Sequence, residues 1–189
     1  MNNEDFDIKI FSPVKKREDE EPVAIADEMK RQVLSGNLQK AKDLGRSVAE
    51  FFPVAAEKEE LWNMAKDCCV TELDRNIKDQ AIILSVFTAE YFLNLYLTDA
   101  ILSTSALTVL YDTLTTNLPE LYNDLLSSTA FSFYYMNVDR KHADAQIIGQ
   151  TFAMLCGDKN SKELCCYGES VFNTTLEHYK EIADSVNFN

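Results

Sequence analysis

The chain has 189 residues, of which 46% are hydrophobic, and this length is sufficient for one substantial core. Only 5 glycines and 4 prolines are present, whereas all-β folds need many turns, so the composition favours helices joined by short loops. The formal net charge of -13 repels phosphate backbones and anionic lipid surfaces, so nucleic acids and membranes are excluded as expected partners.

The N-terminus predicts a cytoplasmic protein with reduced cysteines. The start MNNEDFDIKI carries acids where a secretory signal has a basic region, and no apolar region follows it. The longest apolar stretch, residues 81–97, contains Glu90 and Asn94, which are costly in lipid, so it predicts a buried helix. Five cysteines, an odd number, favour free thiols over a disulfide framework in such a chain.

The predicted fold is all-α. We expect a single domain of about seven helices, residues 23–189, packed as antiparallel hairpins in a bundle or a short helical array. Residues 1–22 form a charged N-terminal tail that we expect to be extended or disordered. Apolar and polar residues alternate in its FDIKIF segment, as they do in a β-strand. The alternative prediction is therefore that this segment pairs with the sheet edge of a partner.

The first three predicted helices come from apolar residues at helical spacing. Ile25, Met29 and Val33 form the stripe of the first helix, and the sequence SGN at 35–37 breaks it. A second helix spans about 38–51 and is closed by Pro53. A third spans about 54–76, which places the adjacent thiols of Cys68 and Cys69 on an apolar face.

One stretch shows a local resemblance to a known repeat. In GNLQKAKDLGRSVAEFFP, Gly36, Ala41 and Pro53 match the pattern of the second helix of a tetratricopeptide repeat, and the segment resembles that helix. Gly45 stands where the repeat has a large aromatic residue, and no 34-residue period follows. The resemblance therefore implies a helical hairpin here and nothing about activity.

The remaining elements follow in chain order. A fourth helix, about 79–97, is apolar on nearly all faces and is predicted to be the centre of the assembly. A fifth spans about 100–116, and Pro119 opens a short sixth helix to about residue 128. The segment AFSFYYMN is ambiguous between helix and strand. Asp139 is the predicted N-cap of a helix to Cys156, and Asn160 with Glu163 has capping-box spacing for a last helix to Val186.

Charged residues are distributed unevenly along the predicted helices. Residues 79–138 contain six acids and no Lys or Arg, whereas residues 23–78 contain ten acids and nine bases. Such a segment is either enclosed by its neighbours or presents an acidic, hydroxyl-rich face to a partner. On the fifth helix the predicted binding face consists of Ser105, Thr108 and Asp112.

Glu90 defines a second candidate site. It lies in the most apolar predicted helix, and a buried carboxylate there would have a raised pKa and could act as a base or a ligand. Tyr91 and Asn94 are its predicted companions. The aromatic residues of 87–96 and 131–135 either line a pocket around it or belong to the core.

The cysteines supply a weaker third option. Adjacent thiols on a helix diverge by about 100°, so a metal cannot easily take both, and packing is the simpler interpretation of both vicinal pairs. Thiol redox chemistry or metal binding through Cys156, Cys165 and Cys166 stays open, as does a metal site of Cys156, Cys165 and His142.

We therefore predict a non-enzymatic helical interaction or scaffold protein that binds a protein partner and is able to self-associate. The alternative is a helical bundle that encloses a small ligand in an aromatic pocket near Glu90, with enzymatic activity left open. No nucleotide-binding, zinc-protease or nucleophile motif occurs, so no cofactor, metal or catalytic residue is predicted.

Overall fold

The computed structural model describes residues 22–56, 59–139, 142–186 and 188. Its elements are α1 (Pro22–Leu34), α2 (Asn37–Ala56), α3 (Glu59–Asp67), α4 (Arg75–Tyr96), α5 (Ala100–Asn117), α6 (Pro119–Ser127), α7 (Ala130–Met136), β1 (Val138–Asp139), β2 (His142–Ala143), α8 (Ala145–Leu155) and α9 (Lys162–Asp184). The predicted all-α architecture is confirmed, with nine helices in the described ranges. The only strands there are β1 and β2, which form a two-residue antiparallel pair. Residues 1–21 of the predicted tail, which include FDIKIF, lie outside the described part, and Pro22, its last residue, is the first residue of α1.

Helix α4 lies at the centre of the fold, as its apolar sequence predicts. Its residues 83–89 are all buried, including the polar Ser85 and Thr88, whose hydroxyls donate to carbonyls one turn earlier in the same helix. This back-bonding satisfies both hydroxyls without a partner from another helix. Helix α4 packs against α9 and α2, while α2 packs along α5 and α8 along α9.

Two of these helix pairs approach unusually closely at glycine. A Cβ on Gly45 of α2 would lie 2.2 Å from the carbonyl oxygen of Ala106 in α5, and a Cβ on Gly168 of α9 would lie 2.6 Å from the Cβ of Phe152 in α8. The α5 backbone passes directly over Gly45 and leaves no space for a side chain. This explains why the large aromatic residue of the tetratricopeptide pattern is absent at this position.

Four side chains cap helix N-termini and set where these helices begin. Asp74, Asp99, Asp144 and Ser161 accept hydrogen bonds from the first free amides of α4, α5, α8 and α9. The predicted caps were therefore wrong at two places: Asp139 lies in β1, five residues before the true cap of α8, and the cap of α9 is one residue after Asn160. In both cases a second Asp or Ser close by was equally able to cap.

The predicted helix over 54–76 is also wrong. Helix α2 continues through Pro53 to Ala56, and α3 ends at Asp67, after which residues 68–74 are not helical. A proline removes one helical hydrogen bond, but the amides after it can still bond to carbonyls before it, so it does not have to end a helix. Cys69 has a positive φ of 61°, which lies outside the right-handed helical region.

A disulfide joins Cys68, just after α3, to Cys166 in the first turns of α9, with a Cα–Cα distance of 5.6 Å. The prediction that all five cysteines are free thiols was therefore wrong. The prediction that both vicinal pairs only pack in the core was wrong as well. Each vicinal pair instead supplies one cysteine to the bond. Cys69 is exposed, and Cys165 is half-buried.

The sequence predicted that the apolar stretch of residues 81–97, which lies in α4 up to Tyr96, does not span a membrane. No helix of the described residues is long and apolar enough to cross a bilayer. Of the two residues that argued against a membrane span, Glu90 is half-buried and Asn94 is exposed, so both lie at the surface side of α4.

Candidate functional site

Glu90 connects three helices through its carboxylate. It lies in α4, and its two oxygens accept hydrogen bonds from two hydroxyls, Tyr111 of α5 donating to Oε2 and Tyr135 of α7 donating to Oε1. All three side chains are half-buried. Hydrogen bonds to an ionised acceptor are roughly twice as strong as neutral ones, so this junction fixes the relative positions of α4, α5 and α7.

Further aromatic rings pack against the two tyrosines that bind this carboxylate. Tyr122 of α6 packs edge-on against Tyr111 at a centroid distance of 6.3 Å, and Phe131 lies 6.5 Å from Tyr135. Below them, the fully buried ring of Phe87 contacts Tyr135 at 5.1 Å. We name Glu90, Tyr111, Tyr122, Phe131 and Tyr135 the tyrosine–glutamate site. All five residues keep part of their surface open to solvent, so the site is an accessible patch above the core.

The two tyrosines that bind Glu90 are held in their neutral form. Burial raises the pKa of Tyr111 and of Tyr135 well above the usual value, and the negative charge of Glu90 raises both pKa values further. Their hydroxyls therefore remain hydrogen-bond donors at any physiological pH.

The carboxylate has no basic partner within the part of the chain that the structure describes. No Lys or Arg of the described residues pairs with Glu90, consistent with the lack of bases between residues 79 and 138. The site thus combines one anion, two neutral donors and several aromatic rings.

The other predicted members of the Glu90 site lie elsewhere. Tyr91 is 6% exposed and its ring packs against Phe87 and Phe172, so it belongs to the core. Asn94 is exposed one turn further along α4. Tyr111 was not among the predicted site residues. It lies one turn from both Leu107 and Leu114, so the sequence could place it on the core side of α5 but not against Glu90.

The predicted binding face on α5 is partly open. Thr108 and Asp112 are exposed and Ser105 is half-buried. The hydroxyls of Ser105 and Thr108 donate to carbonyls one turn earlier in α5, so their hydrogens are already used. As a partner surface, this face stays a prediction.

Two of the free thiols, Cys156 and Cys165, are poorly suited to nucleophilic chemistry. Burial, with a smaller contribution from Asp74, raises the pKa of Cys156 to about 12. Burial and the neighbouring acids Glu169, Asp158 and Glu163 raise the pKa of Cys165. A raised pKa keeps a thiol protonated at neutral pH, and the thiolate is the reactive form.

Neither metal ligation nor similarity to known proteins adds to this description. Within the part of the chain that the structure describes, no group of three or more His, Cys, Asp or Glu side chains is placed to hold a metal ion; the side chain of His142 lies outside it. No protein-family model matches the chain, and no curated protein or solved structure shows significant similarity to it. The proposed function therefore depends on the chemistry of the site.

The buried phenols predict an alkaline transition. Burial raises the pKa of five of the eight tyrosines, namely Tyr111, Tyr134, Tyr135, Tyr167 and Tyr179. In the unfolded chain they ionise near pH 10, so stability is complete below that pH and falls as the pH rises above it. We expect these five to ionise only together with the loss of helical circular dichroism, when absorbance at 295 nm is followed against pH. Ionisation of all eight near pH 10 with intact helices would contradict this.

Proposed function

We propose that this chain is a non-enzymatic binding protein that recognises an organic ammonium group at the tyrosine–glutamate site. The observation that carries the proposal is a partly exposed carboxylate that is bound by two tyrosines of an aromatic cluster and that pairs with no Lys or Arg of the described residues. The group can belong to a small molecule or to a lysine side chain of a protein partner, because both present the same chemistry to the site.

An ammonium group fits this site for two physical reasons. It is attracted to the faces of aromatic rings, by about 0.5–2 kcal/mol depending on exposure, and to the carboxylate of Glu90 beside them. The two tyrosine hydroxyls use one lone pair on each carboxylate oxygen, and the remaining lone pairs stay available. The net charge of -13 also raises the local concentration of cations around the protein.

A catalytic role for Glu90 is less well supported. As a general base, Glu90 would have to take a substrate proton in competition with the two hydroxyl hydrogens that its oxygens already accept, whereas contact with a cation leaves both of those hydrogen bonds in place. The hydroxyls themselves are kept protonated by their raised pKa values, so they are poor bases. Recognition requires no proton transfer and agrees better with this arrangement.

The proposal predicts binding of choline and of a Gly-Lys-Gly peptide that is acetylated at its N-terminus and keeps a free lysine ammonium. NMR chemical shift changes in α4, α5 and α7 measure the binding. Glu90→Gln keeps the size of the side chain and removes its charge, so we expect it to weaken binding at least about tenfold, equivalent to roughly 1.4 kcal/mol. Asp67→Asn, an exposed acid at the end of α3, which contributes no residue to the site, is the matched control and should leave binding unchanged.

Neutral analogues complete the test. The carbon isostere of choline, 3,3-dimethylbutanol, and the norleucine peptide should bind much more weakly than the cationic probes. Equal binding of charged and neutral probes, or an unchanged affinity in Glu90→Gln, would refute ammonium recognition. Preference for the peptide over choline would assign the site to a protein partner, and the reverse preference to a small molecule.

A further inference from the structure

Helix α1 is attached to the body of the protein through its polar side. Gln32, only 9% exposed, donates to Asp99 at the start of α5 at 3.3 Å and also to Glu28 at 2.6 Å. Asn37, at the start of α2, donates in turn to Gln32 at 3.3 Å. The hydrogen bonds of these polar residues hold α1 in place, whereas surface helices usually face the core with their apolar side.

The apolar side of α1 consequently faces solvent. The stripe that predicted this helix, Ile25, Met29 and Val33, is 46%, 48% and 55% exposed, and Leu34 at its end is 88% exposed. The helix itself was predicted correctly, but its stripe does not contribute to the core of the single chain. A contiguous exposed apolar surface of this kind marks an interaction site.

The charges of α1 are balanced on the helix itself. Lys30 pairs with Asp27 at 3.4 Å, and Arg31 pairs with Glu28. The two acids and two bases of α1 sum to zero, in a chain of net charge -13. The apolar stripe is therefore on a surface where two strongly acidic molecules can approach each other with little repulsion.

We propose that the stripe is covered by α1 of a second copy of the chain, antiparallel to the first and centred on Met29. Ile25 and Val33 lie four residues, about 6 Å, on either side of Met29, so antiparallel pairing brings Ile25 against Val33 of the partner subunit. An isologous two-fold contact needs a surface that is complementary to itself, and an apolar stripe symmetric about one residue meets that requirement. This proposal is independent of ammonium binding.

The size of the stripe sets the expected strength of the dimer. Four partly exposed apolar side chains on one helix form an interface at the small end of the specific range, which is typical of weak association. We expect a monomer–dimer equilibrium in the micromolar range, visible by sedimentation velocity over about 1–300 µM as a shift from a 21.5 kDa species towards twice that mass.

Met29→Glu tests the proposal directly. At the two-fold axis this substitution places two carboxylates face to face, so we expect the dimer dissociation constant to rise at least about tenfold. Met136→Glu changes a methionine on α7 that is more exposed than Met29, at 79% against 48%, and should leave the equilibrium unchanged. Both positions face solvent in the monomer, so folding should be preserved in each variant.

Cross-linking tests the orientation. Met29→Cys places two thiols at the axis and should form a covalent dimer on mild oxidation, in excess of the wild-type background, whereas Asp27→Cys on the opposite side of α1 should not. A dimer insensitive to Met29→Glu would overturn the proposal. A protein that stays monomeric at every concentration would also overturn it. If, in that case, deletion of residues 1–21 removed the protection of α1 from hydrogen exchange, the stripe would be assigned to the chain's own N-terminus.

Discussion

Loss of the Cys68–Cys166 disulfide is expected to lower the free energy of unfolding by about 4 kcal/mol. The bond closes a loop across a sequence separation of 98, and cross-linking so long a loop removes much of the entropy of the unfolded chain. It also ties the end of α3, a helix of only nine residues, to the long helix α9. We expect the melting temperature to fall by about 8–16 °C in a chain of this length.

The vicinal arrangement supplies a matched control for this measurement. Cys68→Ser with Cys166→Ser removes the bond, whereas Cys69→Ser with Cys165→Ser removes the two neighbouring thiols and leaves it intact. Only the first pair should show the large loss in thermal or denaturant unfolding. Thiol titration of the unfolded wild-type protein should give three groups without reductant and five after reduction. Five thiols without reductant would contradict the bond.

Gly45→Ala is expected to destabilise the protein by about 2 kcal/mol, even though alanine is the better helix former. The intrinsic preference of a helix for alanine over glycine is worth about 1 kcal/mol in favour of the variant. The added Cβ, however, would lie 2.2 Å from the backbone oxygen of Ala106, and backbone cannot rotate aside as a side chain can. The helices α2 and α5 must then separate, and overpacking of this kind typically costs about 1–3 kcal/mol beyond any gain.

Chemical denaturation measures this effect. Ser47→Ala, an exposed position in the same helix, is the control and should change stability by no more than a few tenths of a kcal/mol. A Gly45→Ala protein as stable as wild type would mean that α2 and α5 do not approach as closely as described. Gly45→Leu should prevent folding altogether, because the larger side chain has no space against α5.

The helical periodicity of the sequence was sufficient to predict most elements. The apolar spacing gave α4 as the central helix and α5, α6 and α9 close to their observed bounds, because a side chain's position around a helix is fixed by its number in the chain. Boundaries failed where two capping residues lay close together, as at Asp139 and Asp144. The predicted end of α2 at Pro53 was also wrong, because the helix continues through the proline to Ala56.

As a binding residue, Glu90 stays a prediction, but its surroundings are specific, since each of its oxygens accepts a hydrogen bond from a tyrosine of another helix. Its partners could not be predicted, because Tyr111 and Tyr135 lie 21 and 45 residues further along the chain. Their convergence depends on how α5 and α7 pack onto α4. The predicted neighbour Tyr91 instead packs on the core side of α4, since adjacent residues on a helix point about 100° apart.

By itself, the sequence determined that the chain is helical, that residues 79–138 lack basic residues, and that α1 has an apolar stripe. Tertiary structure decided which stripe is buried, which cysteines are joined and which hydroxyls contact Glu90. Local spacing is governed by the 3.6-residue repeat, which involves only neighbouring residues. Contacts between distant segments depend on helix packing, in which a close approach such as that of Gly45 to Ala106 selects one arrangement among many with similar patterns.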